Sequence, residues 1–229
     1  MYNYQQLIED VILPEITEAY FLRDVEWLKS IFSDMPAGWR KKGSKIIDEM
    51  FEICSKKMKV GQKESELQTI LMTYAMEQGM FDIGYKSTLN PLIIAGGPNG
   101  ALPHAQVTNR KFKKGDLVVT DLTLRYKGYV SDATRTFALG KISSQANEAY
   151  EIVKESQRLG LKAVKPNIDC KDVDSACRKF IDDKNYGQYF IHSTGHGIGL
   201  EVHELPTVSY RSTTKLKENI IDEIYESGD

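Results

Sequence analysis

Positive charge is not in excess in this chain, which carries 30 lysines and arginines against 32 aspartates and glutamates and has a formal net charge of −2 at pH 7. A protein that holds a nucleic-acid backbone or an anionic membrane surface usually needs such an excess. No apolar run approaches the ~20 residues that a membrane span needs. The first residues also show no basic segment followed by an apolar one, as a secretory signal would. We therefore expect neither a nucleic-acid nor a membrane partner.

Cysteine is also scarce. The three cysteines, Cys54, Cys170 and Cys177, are odd in number and lack the paired spacing of a zinc site. This pattern is typical of reduced thiols in a cytoplasmic protein. The apolar share of 41% and the charged share of 27% are ordinary for a folded domain and argue against extensive disorder. The sequence thus predicts a soluble cytoplasmic enzyme or binding domain, with enough chain for one large domain or two small ones.

The distribution of apolar residues predicts both helices and strands. Spacings of three and four predict helices over residues 5–32, 42–57, 144–164 and 170–183, and a further helix that follows Gly61. Runs rich in valine, leucine, threonine and aromatic residues predict two strands, 117–124 and 129–139, around a turn at residues 125–128. We expect strands to resume near residues 189–191. The predicted fold class is α+β, with an antiparallel sheet flanked by helices.

Two aspartates in the predicted hairpin are the first candidates for chemistry. If a tight turn centred on Tyr126 and Lys127 joins the strands in regular register, Asp121 and Asp132 stand directly opposite each other, with Cβ atoms about 4.5–5.5 Å apart. Two like charges at that distance destabilise a sheet unless a proton or a cation lies between them. A bulge, or a turn that includes one of the aspartates, would instead shift the register. The pair favours a site for a hard cation or for two metal ions.

A glycine-rich segment carries most of the histidines. Three of the chain's four histidines, His192, His196 and His203, fall within residues 192–204, where glycines stand at positions 195, 197 and 199. Glycine lacks a Cβ atom and lets the backbone approach another element closely. A single histidine is more often structural, but a cluster beside glycines favours metal binding or proton transfer. The fourth histidine, His104, follows the glycine loop 96–100.

Three motifs carry a resemblance to a known family. They are the loop that ends in Pro103-His104-Ala105, the run from Asp121 to Phe137 that contains Ser131-Asp132-Ala133-Thr134-Arg135-Thr136, and the segment 194–204, Thr-Gly-His-Gly-Ile-Gly-Leu-Glu-Val-His-Glu. From about Lys42 onward the chain resembles the pita-bread metallopeptidases, which include methionine aminopeptidase, Xaa-Pro aminopeptidase and prolidase. The second and third motifs are more similar to the proline-handling branch. The resemblance implies the pita-bread (creatinase/aminopeptidase) fold.

The resemblance also implies a role for each candidate residue. It implies that Asp121, Asp132 and His196 bind two divalent metal ions, and these could be Mn, Co or Zn because a carboxylate-rich site with one histidine accepts several ions. His104 and His203 resemble histidines that contact substrate and assist proton transfer or stabilise the tetrahedral intermediate. His192 falls where the proline-handling branch has a histidine near the substrate pocket. Two divalent ions would lower the pKa of a bridging water and polarise the scissile carbonyl.

The C-terminal residues depart from the family pattern. The family supplies two further glutamate ligands; an alignment without a gap places Tyr225 at the first of them, whereas a short deletion aligns Glu223 with it. We prefer Glu223, and Glu226 is an alternative. The second glutamate has no counterpart, so we expect the fold to be incomplete at the C-terminus, without its last strand. We expect residues 1–40 to be a helical segment and linker, the remnant of an N-terminal domain, and residues 41–229 to be the metallopeptidase domain.

By resemblance, the chain is a hydrolase: a metal-dependent exopeptidase that releases an N-terminal residue from Xaa-Pro peptides, as an aminopeptidase or as a dipeptidase. Two alternatives stay open. One is a catalytically inactive homologue that binds a peptide or a protein partner, and the other is a methionine aminopeptidase. Loss of one glutamate ligand would impair the site, since changes around metal ligands alone cost about 10–100-fold. We expect a peptide substrate and, because the family often forms homodimers, a homodimer.

Overall fold

The computed structural model describes residues 37–81, 92–218 and 222–224 of the chain. The chain divides into two compact units, residues 1–39 and 40–229, and nearly all of the described residues belong to the second. The predicted helix over residues 5–32 lies outside the described residues. The division into an N-terminal segment, 1–40, and a domain, 41–229, therefore stays a prediction.

Four α-helices and seven strands are found in the described residues. In chain order they are α1 (Ala37–Lys57), α2 (Glu64–Glu77), β1 (Met80–Phe81), β2 (Leu92–Gly96), β3 (Leu117–Tyr126), β4 (Tyr129–Ala138), α3 (Ser144–Ala163), α4 (Cys170–Asp183), β5 (Gly195–Gly197), β6 (Glu204–Val208) and β7 (Asp222–Ile224). Short 3-10 helices follow β2 at Gly97–Ala101 and α4 at Gly187–Tyr189. The second of these occupies the place where a strand was predicted near residues 189–191, so that prediction is wrong. None of the described helices is both long and apolar enough to cross a membrane.

Helices α1 and α2 pack against one face of the first sheet. Strand β3 is central: β4 pairs with it along one edge, and β1 and β2 share the other edge. Every second residue of β3 from Val118 to Leu124 is buried, while the residues between them are half-buried. Leu67 and Leu71, spaced four apart on α2, are fully buried in the same core as Val118 and Leu122. This period of two on the strand leaves the opposite face of β3, which carries Asp121, for the site.

The hairpin register differs from the predicted one by two positions. Tyr126 pairs with Tyr129, so the turn consists of Lys127 and Gly128 rather than being centred one residue earlier. Both turn residues have positive φ, 52° and 85°, as the preferred two-residue hairpin turn requires. Asp121 therefore faces Thr134, and Asp132 faces Thr123. The prediction that the two aspartates stand directly opposite each other is wrong, because the X-Gly pair sets the turn.

The second sheet places the glycine-rich segment at its centre. Strand β5 lies between β6 and β7 in the order β6-β5-β7, with both pairs antiparallel. A bulge interrupts the β5–β6 pairing after His196. A Cβ atom on Gly197 would lie 2.7 Å from the carbonyl oxygen of Leu205, which is backbone and cannot rotate away. The close approach of two strands therefore requires glycine at this position.

Candidate metal centre

The two aspartates share one face of the hairpin as diagonal neighbours. Diagonal positions in an antiparallel pair are about 7–8 Å apart, still within reach of side chains that lean toward each other. Each carboxylate accepts a hydrogen bond from the threonine opposite it: Thr123 Oγ1 lies 2.8 Å from Asp132 Oδ1, and Thr134 Oγ1 lies 3.1 Å from Asp121 Oδ1. The corrected register thus still brings both carboxylates to one site and fixes each with a hydroxyl group.

Ionisation of both carboxylates at once is unfavourable in this pair. Two effects raise the pKa of the Asp121 carboxyl to about 7. Burial is the larger effect, and the charge of the nearby Asp132 carboxylate is the second. Desolvation and a like charge both disfavour the ionised form. A cation between the carboxylates would remove the penalty, because it supplies the opposite charge that the pair lacks.

His196 lies buried at the centre of strand β5. Its Nδ1 atom is 3.1 Å from the carbonyl oxygen of Gly197, and its ring centroid is 4.3 Å from that of His203. A ring protonated on Nδ1 donates to that carbonyl group and carries its lone pair on Nε2. This is the tautomer that a metal ligand needs, held in place by a backbone acceptor.

The loop after β5 docks on the end of the hairpin. The amide of Val130 donates to Gly199 O at 2.8 Å, and Arg125 Nε donates to Leu200 O at 3.3 Å. Within the loop, the Glu204 carboxylate accepts from the amides of Leu200 and Glu201 at 2.7 and 2.9 Å. These bonds fix the glycine-rich loop against the strands that carry the two aspartates.

The pKa of His203 responds to the charges of other candidate residues. Burial lowers the pKa of His203, and the neighbouring His196 and His104 rings lower it further, while Asp132 acts in the opposite direction. His203 therefore lies close enough to three other candidates for their charges to be felt. Asp121 and Asp132 thus share one face of the hairpin, His203 lies beside His196, and the charges of Asp132 and His104 act on His203.

The remaining candidates are placed less directly. His192 is exposed, its Nδ1 atom lies 2.8 Å from Ser193 O, and its ring meets the edge of Phe190. The backbone of Glu223, in β7, stands directly opposite His196, but its side chain lies outside the described residues, as does all of Glu226. The roles of these residues stay predictions.

The donor set suits divalent cations. Two carboxylates and an imidazole are ligands that Mn, Co and Zn all accept. Within the described residues, however, no three histidine, cysteine, aspartate or glutamate side chains are arranged closely enough to hold an ion together. The residues fit a metal site by their chemistry, their shared face and their mutual charge effects, and the ligand assignment is taken up below as a proposal.

A family comparison decides where the chain belongs. The profile of metallopeptidase family M24 matches residues 40–223, most of the chain. The chain is a member of the M24 family. The predicted family is therefore confirmed.

Curated relatives of this M24 chain include peptidases of the proline-handling branch. This chain is 36% identical over 219 residues to the uncharacterised peptidase YqhT of Bacillus subtilis, and the match covers 96% of this chain and 59% of the relative. It is 35% identical over 216 residues to the Xaa-Pro dipeptidase of Pyrococcus horikoshii, covering 91% of this chain and 60% of the relative. The chain thus spans about three fifths of the length of these relatives.

Solved structures confirm the pita-bread fold of the M24 chain. The prolidase from Pyrococcus horikoshii OT3 matches with a TM-score of 0.76 at 36% identity, over 83% of this chain and 54% of that one. The methionine aminopeptidase from Rickettsia prowazekii matches with a TM-score of 0.70 at 19% identity, over 82% and 76% of the two chains. The second likeness shows the fold alone. The predicted α+β class and fold are confirmed.

Two buried carboxylates of this M24 chain bind loops next to candidate site residues. Neither of them was predicted from the sequence. Glu64, at the start of α2, and Asp174, on α4, are fully buried. Glu64 sits in an acidic first turn, which is typical of solvated helix ends. Asp174 is four residues from Arg178, a spacing typical of a surface ion pair. No local signal distinguishes either residue from a solvent-exposed acid, because the partners of Glu64 lie 32–44 residues away and the third donor to Asp174, Thr194, lies 20 residues away.

Proposed function

We propose that this M24 chain is a metal-dependent exopeptidase that hydrolyses the bond after the N-terminal residue of Xaa-Pro peptides. The observation that carries the proposal is the shared face of the hairpin, where Asp121 and Asp132 are each fixed by a threonine beside the His196–His203 ring contact. The Pyrococcus horikoshii relative named an Xaa-Pro dipeptidase, of which this chain covers 60%, supports the substrate class.

We assign Asp121, Asp132, His196 and Glu223 to holding two divalent ions, whose identity among Mn, Co and Zn is open. When bound, such ions lower the pKa of a water and polarise the scissile carbonyl group. The threonines opposite the aspartates orient each carboxylate, so that the oxygen not bonded to a hydroxyl can face the site. The alternation of β3 supports this role for Asp121, because the face that carries it is opposite the core.

We assign His104 and His203 to contact with the substrate. A protonated ring nitrogen at either position can donate a hydrogen bond to the oxygen that gains charge in the tetrahedral intermediate. The same nitrogen can pass its proton to the leaving amine of proline. The effects of the Asp132 and His104 charges on the pKa of His203, together with the His196–His203 ring contact, support these roles. His192 is assigned to the substrate pocket.

The deciding experiment measures hydrolysis and metal content together. The purified chain is loaded with Mn, Co or Zn and assayed on Xaa-Pro and Met-Ala dipeptides and longer peptides. We expect Xaa-Pro cleavage that Asp132→Ala abolishes together with bound metal. Replacing His104 or His203 with alanine should reduce turnover while metal stoichiometry holds. Cleavage of Met-Ala alone would instead identify a methionine aminopeptidase, and peptide binding without cleavage would identify a binding module.

Two further features belong to the same proposal. We propose a homodimer located in the cytoplasm, on the basis of the family resemblance and the three reduced, buried cysteines. Sedimentation equilibrium at several protein concentrations tests the first part, and fractionation of cells that express the tagged chain tests the second. A monomer at all concentrations would contradict the dimer.

A further inference from the structure

A buried ion pair on helix α4 forms hydrogen bonds with the segment that leads into the glycine-rich strand. The Asp174 carboxylate, fully buried, accepts two hydrogen bonds from Arg178, at 2.8 Å from Nε and at 3.0 Å from one terminal nitrogen. It accepts a third, at 2.8 Å, from the hydroxyl of Thr194. A buried carboxylate with three donors, two of them from a cation, is well satisfied. The pair thus ties the helix to residue 194.

Arg178 also binds two residues that precede Thr194 in the chain. Its terminal nitrogens donate to the carbonyl oxygens of Phe190 at 3.0 Å and His192 at 2.9 Å. The guanidinium therefore makes four hydrogen bonds out of the five that its planar fork can donate. Such a side chain fixes a loop backbone at two points while its charge remains paired with Asp174.

The Phe190 ring connects Arg178 to the His192 side chain. The guanidinium carbon of Arg178 lies 4.2 Å from the centroid of the Phe190 ring, within the range of a cation–π contact. The His192 ring meets the same Phe190 ring edge-on, with centroids 5.0 Å apart and planes at 85°. Arg178 therefore holds the backbone of His192 directly and its imidazole through Phe190.

We propose that Arg178 is a positioning residue that sets the place of the His192 ring, which is assigned above to the substrate pocket. The role of the ring in binding peptide rests on the proposed function; the positioning itself does not. The His192 side chain is exposed, and its Nδ1 atom also lies 2.8 Å from Ser193 O. The two carbonyl bonds made by Arg178 and the contact with Phe190 add constraints on the backbone and on the ring plane. Substrate affinity therefore depends on an arginine that never touches the substrate.

Lysine at position 178 separates positioning from simple stability. Arg178→Lys keeps a cation beside buried Asp174, so it does not leave that carboxylate unpaired. A lysine ammonium is a point charge on a flexible stem and cannot reproduce the planar fork that reaches two carbonyl groups at once. The matched control is Arg158→Lys on α3, since Arg158 also pairs with an acid on its own helix, Glu155, but is exposed.

The first measurement uses protein without metal and needs no activity. The chain has four histidines, so ring resonances in a carbon-13 histidine spectrum are few, and a His192→Gln variant assigns the one of interest. We expect Arg178→Lys to shift and broaden the His192 resonance at fixed pH, while Arg158→Lys leaves it in place. Arg158→Lys should keep the thermal midpoint of the parent, whereas Arg178→Lys should have a lower midpoint, because it loses hydrogen bonds, but should still be folded at the temperature of the spectrum. An unchanged His192 resonance in folded Arg178→Lys would overturn the proposal.

The second measurement uses metal-loaded enzyme and Xaa-Pro peptides. A misplaced binding group should raise KM, by about 10-fold, with much less effect on kcat, because it removes binding that is shared by ground state and transition state. A fall in kcat with KM unchanged would overturn the assignment to substrate binding. If the parent chain hydrolyses no peptide, the proposed function fails, and the resonance measurement alone still decides whether Arg178 positions His192. Should Arg178→Lys not fold, Phe190→Leu tests the same resonance through the aromatic contact.

Discussion

Replacing Glu64 with glutamine should destabilise the protein and displace His104. The Glu64 carboxylate is fully buried and holds both ends of the loop 96–108. It accepts from the amide of Gly96 at 2.8 Å, from the side-chain amide of Asn99 at 3.1 Å, and from the amide and hydroxyl of Thr108 at 3.1 and 2.6 Å. His104 lies between these attachment points, with a positive φ of 55°.

The size of the effect follows from the hydrogen bonds that glutamine cannot accept. One carboxylate oxygen becomes an NH₂ group, which then faces N–H donors of the loop at either Gly96 or Thr108. Hydrogen bonds to a charged group contribute about 1.5–3 kcal/mol each, and a buried donor left without a partner costs about 1–3 kcal/mol. We expect a loss of about 3–5 kcal/mol in the free energy of unfolding, similar to the breaking of other buried charged networks. At 2–4 °C per kcal/mol, a loss of about 3 kcal/mol lowers the thermal midpoint by roughly 6–12 °C.

Glu66→Gln is the matched control for this change. Glu66 lies two residues further along the same helix, is exposed, and, among the residues that the structure describes, accepts only from the amide of Lys63 at 3.1 Å. Its replacement should cost less than about 0.5 kcal/mol. Urea unfolding of both variants measures the free energies, and turnover compared with His104→Ala tests the displacement. The reasoning is refuted if the two glutamine variants are equally stable, or if Glu64→Gln and His104→Ala reduce turnover additively.

Three further predictions concern the site, the second sheet and the thiols. Asp132→Ala should lower the affinity for Mn, measured by calorimetry, by more than the ~10–100-fold typical of residues around ligands, whereas Glu204→Ala, which removes only a loop anchor, should stay within that range. Gly197→Ala should cost about 1–3 kcal/mol in urea unfolding, because the added Cβ atom would lie 2.7 Å from a carbonyl oxygen of β6, while Gly38→Ala, with nothing within 4 Å, should not destabilise. Burial raises the pKa of the Cys54 thiol to about 12, so at pH 8 it is protonated and should react with a disulfide reagent only after unfolding; rapid labelling of the native chain would contradict this.

The helices were predictable because their signals are local. The spacing of apolar residues predicted helices at 144–164 and 170–183, and the structure has them at Ser144–Ala163 and Cys170–Asp183. An apolar stripe repeats every three or four residues, so a window of one helix contains all the information. The hairpin strands were predicted for a similar reason, since their alternation and their turn lie within 22 residues of sequence.

The register of the hairpin was predictable in principle but was misjudged. The strand limits alone allow the turn to be centred on Tyr126 and Lys127 or on Lys127 and Gly128. Glycine adopts positive φ without steric cost, and a two-residue turn of the preferred type needs positive φ at both positions. The X-Gly rule therefore favours Lys127-Gly128, which the structure shows. Applied first, it would have placed Asp121 and Asp132 as diagonal neighbours.

The buried carboxylates could not be predicted because each acts across long stretches of chain. Glu64 binds groups 32–44 residues away, and Asp174 binds a hydroxyl 20 residues away, so no local pattern marks them. Glu64 nevertheless fixes the loop that carries His104, and Asp174 fixes Thr194, which follows His192 and begins the segment 194–204. A chain that kept every motif residue but carried neutral side chains at 64 and 174 would retain its resemblance to the family and lose the constraints on His104 and His192. For this chain, the motifs contain the groups that would do the chemistry, and two acids outside the motifs fix the loop that carries His104 and the residue, Thr194, that leads into β5.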